Sequence, residues 1–109
     1  MATGKSTFPT MHPVAGFQLG TTSAGIKVAG RKDVVVTKIE QGSTVAGVFT
    51  QNRFCAAPVH IAKQHMQLTT PSYFLINTGN ANAGTGEQGM ADSLSCCQAV
   101  ADAAKVAPQ

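Results

Sequence analysis

The stretch INTGNANAGTGEQG, Ile76 to Gly89, joins an apolar run to a helical pattern and holds four glycines and three asparagines. It contains a literal G-x-G-x-x-G at Gly84, Gly86 and Gly89. In a dinucleotide site such glycines follow the strand at once, so that the pyrophosphate meets the helix N-terminus, and an acidic residue about 20 positions later holds the ribose. Here seven residues separate Ile76 from Gly84, the positions due the acid fall around Pro108 and Gln109, and Glu87 puts negative charge where phosphates would sit. The nucleotide reading is therefore disfavoured. A Walker loop fails differently: Gly79-x-x-x-x-Gly84 runs into Thr85-Gly86 and lacks the phosphate-binding lysine. Gly4-Lys5-Ser6 has the lysine but no preceding glycine or strand.

Two readings of the loop stay open on the residues alone. Glycine and asparagine are the residues of left-handed turns, which makes a structural connection. Three amides in six residues exceed what one turn needs. Asn77, Asn80 and Asn82, with Thr78 and Gly79 between them, also offer neutral donors and acceptors to a polar ligand, and nearby helix-end amides can receive an anion.

The flanks set the architecture. Downstream, Met90, Leu94, Cys97, Ala101 and Ala104 share one helical face, predicting a helix over about residues 88–105. Thr85-x-x-Gln88 matches a capping box, Glu87 suits the positive end of the dipole, Lys105 the negative end, and Pro108 ends the pattern. Upstream, Ser72 to Ile76 is apolar on both faces and predicts an interior strand. Pro58 with Val59, Ala62 and Met66 predicts a helix stopped by Thr69-Thr70-Pro71. Val34 to Ile39 is a β-branched strand. After the turn at Glu40 to Ser43, Thr44 to Thr50 reads as a strand returning against it, Gly47 marking a bulge or a close backbone approach. Phe17 and Leu19, then Ile26 and Val28, predict a hairpin turning between Gly20 and Gly25. Residues 1–13 read as a loose arm. Strands in the first half and a strand, loop and helix at the end make an α/β (α+β) layered sheet-and-helix fold, organised as an arm, 1–13, and a unit, 14–109.

At 109 residues, 43% hydrophobic and 12% charged, the chain holds one modest core and is poor in charge for a solvated surface. A partner is expected to cover part of it. The net charge of +3 is scattered, and no basic stripe with stacking aromatics suggests nucleic acid. No apolar run approaches a membrane span, and Cys55, Cys96 and Cys97 suit a reducing compartment. The expectation is a soluble, cytoplasmic protein. His60 and His65, five apart, do not stack on one helix face, and Cys96-Cys97 lacks a ligand gap, so a metal site is disfavoured. Cys55 with His60 is a conceivable nucleophile and base, although Phe54 and Ala56-Ala57 around it suggest a core cysteine.

Four segments together resemble one family. AGFQLGTTSAGIK (Ala15 to Lys27), GRKDVVV (Gly30 to Val36), AGVFTQNRFCAAPV (Ala46 to Val59) and INTGNANAGTGEQGMAD (Ile76 to Asp92) are similar, in order and spacing, to the start of the ornithine acetyltransferases, the bifunctional glutamate N-acetyltransferases of arginine biosynthesis. The resemblance implies that residues 14–109 are the N-terminal part of an α subunit. It implies an enzyme moving acetyl from N-acetylornithine to glutamate through an acetyl-threonine intermediate. The nucleophilic threonine is freed by self-cleavage, and its own amine is available as base. The nucleophile belongs to a Met-Ala-Thr-Met-Leu type motif and the oxyanion hole to a Ser-Thr-Gly-Val-Ile-Gly type motif, and neither string occurs here. Thr78-Gly79 and Thr85-Gly86 lie in a different family motif, so no catalytic residue is carried onto this chain. Asn77, Thr78, Gly79, Asn80 and Asn82 are expected at a site wall or orienting loops. The implied partners are the remainder of the α chain and the β chain, in an assembly of two of each. No metal or redox cofactor is implied, and acetyl-CoA is a possible co-substrate. The alternative is a stand-alone small-ligand or anion-binding module.

Overall fold

A computed structural model of the chain describes residues 7–108. The order of elements is β1 (Phe17–Thr22), β2 (Val34–Ile39), α1 (Ala57–Leu68), β3 (Tyr73–Asn77) and α2 (Gly86–Ala104). The strands form one antiparallel sheet in the order β1-β2-β3, with Phe17 opposite Ile39, Thr22 opposite Val34, and Val34 opposite Asn77. The mixed sheet-and-helix class read from the sequence is the class observed. Of the arm expected over residues 1–13, the first six lie outside the described residues, and residues 7–13 form no helix or strand.

Residues opposite one another in an antiparallel pair share a face. Tyr73 and Leu75 line a groove with His65 of α1 and with Cys97, Val100 and Ala101 of α2, so their face is the one under the helices. Phe74 and Ile76 point the other way. By register they share that far face with Val35, Thr37 and Ile39 of β2 and with Phe17, Leu19 and Thr21 of β1. The far face is the more apolar of the two, yet Leu19 is 59% and Ile76 57% exposed.

Four sequence expectations are corrected. The hairpin between Gly20 and Gly25 does not form, because β1 runs through Gly20 to Thr22 and pairs with β2. Residues 23–33 instead arch across the sheet end, where the Asp33 carboxylate takes hydrogen bonds from the amides of Ala24 and Ile26 at 2.6 and 2.8 Å. Thr44 to Thr50 forms no strand, because both edges of β2 are already occupied, by β1 and β3. That segment packs on α1 instead: Lys63 lies over the Phe49 ring at 5.5 Å, and a Cβ on Gly47 would stand 3.2 Å from the Met66 sulfur. The close backbone approach is thus what Gly47 serves. β3 is an edge strand rather than an interior one, since nothing among the described residues pairs its outer edge.

The fourth correction is the capping box. The Thr85 hydroxyl donates to the Asn82 carbonyl at 3.2 Å, and Gln88 Nε2 donates to Asp92 at 2.8 Å, so neither side chain reaches the helix-end amides. The helix begins at Gly86 and ends at Ala104, where Lys105 turns left-handed (φ 56°) and the Val106 amide returns to the Ala101 carbonyl. This six-to-one bond closes the helix before Pro108 is reached.

Helix α1 starts as its sequence dictates, with Pro58 in the first turn, and stops at Thr69. Its buried residues are Ala57 and Ile61, and those of α2 are Gly89 and Ala101. A Cβ on Gly89 would run into the Thr85 side chain, while the Ala57 Cβ of α1 would be in ordinary contact with it at 3.5 Å. Leu94, expected on the buried face of α2, is 47% exposed. Among the described residues only Ala57, Ile61 and Ala101 are buried apolar side chains, few for a self-contained core.

Candidate functional site

Strand β3 delivers Asn77 to the end of the sheet, and the chain then turns at Gly79, whose φ of +97° is open to glycine and costly for any side chain. A Cβ there would press on Lys27 at 3.1 Å, so the arch of residues 23–33 sits directly beside this turn. The Thr78 amide donates to the Asp33 carbonyl at 3.0 Å. Asp33 therefore ties the arch to itself through its carboxylate and to the asparagine loop through its main chain. The two amides, Ala24 first, hold its carboxyl below the usual carboxylate value. The sequence reading carried Asp33 only inside the segment GRKDVVV and gave it no role of its own. The available signal was an acid directly before a β-branched strand, where a carboxylate can gather loop amides.

The three asparagines converge. Asn82 is the hub: its Nδ2 donates to Asn77 Oδ1 at 3.4 Å, and its Oδ1 accepts from Asn80 Nδ2 at 3.4 Å. These are long bonds between exposed groups, and most of their hydrogen-bonding capacity faces solvent. The main-chain carbonyl of Asn82 accepts from the Ala57 amide at 3.4 Å and from the Thr85 hydroxyl. One carbonyl thus meets the first amide of α1 and the residue preceding α2, making the loop a joint between two helix starts. Asn77, Thr78, Gly79, Asn80 and Asn82 are contiguous in space. Their geometry serves the connection and leaves their amides presented to solvent.

On the other side of this joint lies a groove of about 420 Å³ whose lining includes Arg53, Cys55, His60, Gln64, Glu87 and Met90. Phe54 closes its corner by seating its ring against Gly84, where a Cβ would stand 2.7 Å from the ring. The Phe54 amide donates to Asn52 Oδ1 at 3.0 Å, and the Asn52 amide to Thr50 Oγ1 at 3.1 Å, which orders the approach to α1. Cys55 Sγ then stands 3.0 Å from His60 Nε2. The sequence reading had paired these residues and set beside that the picture of a core cysteine. The structure brings them together, with Cys55 half-buried and His60 exposed. Cys97 on α2 differs, because burial, and then neighbouring Cys96, pushes its thiol up. Among the described residues no three His, Cys, Asp or Glu side chains gather as a metal set, and no helix is long and apolar enough to cross a membrane.

A family match, two curated relatives and two solved structures point the same way. Residues 18–109 match the family described as the ArgJ family. The chain is 57% identical over 113 aligned positions to "Arginine biosynthesis bifunctional protein ArgJ" of Pseudomonas syringae pv. tomato, covering 99% of this chain and 28% of that protein. It is 65% identical over 91 residues to the protein of that name from Pseudomonas fluorescens, covering 84% of this chain and 22% of the relative. In structure it resembles ornithine acetyltransferase of Mycobacterium tuberculosis, solved in complex with ornithine: TM-score 0.78 and 38% identity, over 84% of this chain and 48% of that one. It also resembles the arginine biosynthesis bifunctional protein of Bacillus halodurans, with TM-score 0.80 and 26% identity, over 86% of this chain and 49% of that one. The chain thus spans well under a third of the length of the curated relatives it matches.

Proposed function

Because the chain belongs to the ArgJ family, we propose that it is one part of an acetyltransferase of arginine biosynthesis, scaffolding a site whose reacting residues other parts of the polypeptide supply. In this reading the complete enzyme moves acetyl from N-acetylornithine to glutamate through an acetyl-threonine intermediate. The threonine is freed by self-cleavage, with its amine available as base. Residues 14–109 act as the N-terminal part of the α subunit, the assembly holds two α and two β chains, and the enzyme works in the cytoplasm. Acetyl-CoA is a possible second acetyl donor, and no metal or redox cofactor is called for.

The observation that carries this reading is the family match over residues 18–109, at high identity to proteins named for arginine biosynthesis. Two features of the chain support the part played by it. The far sheet face carries exposed apolar side chains, and the outer edge of β3 has no strand beside it among the described residues, as expected of a surface that the rest of a longer polypeptide covers. The asparagine loop presents neutral amides beside the start of α2, suited to orienting a polar, amino-acid-sized ligand at a site wall. The sparse buried core weighs against the stand-alone binding module.

The experiment is an acetyl-transfer assay from N-acetylornithine to glutamate, with the chain alone and with the chain joined to the remainder of a family member. We expect turnover only in the joined form. Robust turnover by the chain alone would overturn the scaffold role. A parallel run with acetyl-CoA and glutamate decides the second donor.

A further inference from the structure

We propose that Cys55 and His60 form a thiol-modification site that exchanges with low-mass disulfides, separate from acetyl transfer. The pair is built by local geometry. Cys55 occupies the residue before the N-cap Ala56, and His60 lies in the first turn of α1, so the helix start folds the imidazole back over the sulfur at 3.0 Å. The Phe54 ring against Gly84 and the Asn52 turn before it order the backbone that leads into Cys55. A side chain that served only as packing would not need an exposed imidazole within hydrogen-bond reach.

With the ring proton on Nδ1, Nε2 accepts the Cys55 S–H. The chemistry balances without a further reactant. As Cys55 Sγ attacks one sulfur of a disulfide R–S–S–R, its proton passes to His60 Nε2. The S–S bond breaks, a new S–S bond joins Cys55 to one half, and the other half leaves as a thiolate that takes the proton back from His60. Cys55 is oxidised and the leaving half is reduced. The groove of about 420 Å³ beside the pair is within the size range of small-molecule sites, so a low-mass disulfide has room to align. Arg53 and Glu87 both line it and offset one another in charge.

Cys96 and Cys97 are internal controls. Cys96 is exposed on α2 and Cys97 half-buried there, and neither has a hydrogen-bonded imidazole among the described residues. The test treats the chain joined to the remainder of a family member with an aromatic disulfide that releases a coloured thiolate, maps each modified cysteine by peptide mass spectrometry over time, and repeats the mapping in guanidinium. We expect Cys55 to react at least about tenfold faster than Cys96 in the folded chain, with the ratio collapsing on unfolding and falling by a similar factor in His60→Gln. A folded-state rate for Cys55 equal to or below that of Cys96 overturns the proposal. So does a His60→Gln variant with unchanged helical circular dichroism and an unchanged Cys55 rate. If that variant does not fold, the folded-to-unfolded ratio in the native sequence decides.

Discussion

Replacing Ile61 by alanine tests where the chain's stability resides. Ile61 is 3% exposed and is the largest of the three buried apolar side chains among the described residues, in the helix that carries His60 and the Ala57 contact to Asn82. The change removes three carbons, which at about 0.8 kcal/mol each is about 2.5 kcal/mol of lost burial. An unfilled cavity adds to that, within the range of about 2–5 kcal/mol for Ile-to-Ala changes. An expected loss of about 3 kcal/mol is a large share of the stability of a chain with so few buried side chains. Val48 is the control, because it is 100% exposed and its truncation should fall within about 0.5 kcal/mol of zero. Urea titration followed by far-ultraviolet circular dichroism measures both variants, and amide exchange along α1 reads the same difference residue by residue. Equal effects at the two positions, or a loss below about 1 kcal/mol at Ile61, would refute the view that the α1–α2 seam is the core.

Three further outcomes are expected. Gly79→Ala should destabilise the fold by about 1–3 kcal/mol in the same titration, because alanine must adopt φ +97° and press on Lys27, whereas Gly86→Asn, at φ +60° with open space around it, should cost under about 1 kcal/mol. Asp33 is held below its ordinary value of 3.8 by the amides of Ala24 and Ile26, so its stabilising effect is full above that value and is lost as pH falls through the lower folded value. Nuclear magnetic resonance should then show the Ala24 and Ile26 amides losing protection in that acid window, and losing it at every pH in Asp33→Ala, which removes both acceptors. Lys105→Gly should raise stability by about 0.5–1 kcal/mol in thermal melts, because it relieves a left-handed lysine at the end of α2.

Much of the fold is legible locally. The β-branched run at Val34 to Ile39, the proline-led start of α1 and the small-residue face of α2 each specify their element within a few residues. What the sequence does not carry is the competition for edges. Thr44 to Thr50 has a strand's composition, but β3, more than thirty positions after β2, takes the place it would have used. β3 reads as interior because its side chains are apolar on both faces, a composition that does not itself say whether a further strand lies beside it. At the site, composition flagged the asparagines but not their joining role, because Asn82 acts there through a main-chain carbonyl that every residue type possesses. Cys55 and His60 could be paired from the sequence, and the proline-led helix start between them is what folds the imidazole back to the sulfur.

The Asn82 joint has an evolutionary consequence. Since its oxygen belongs to the backbone, exchanging the side chain at position 82 leaves the bonds to Ala57 and Thr85 available. A substitution there therefore changes what the loop shows to solvent without removing the main-chain bonds that join the two helix starts. Position 82 is one where selection on chemistry and selection on folding need not compete.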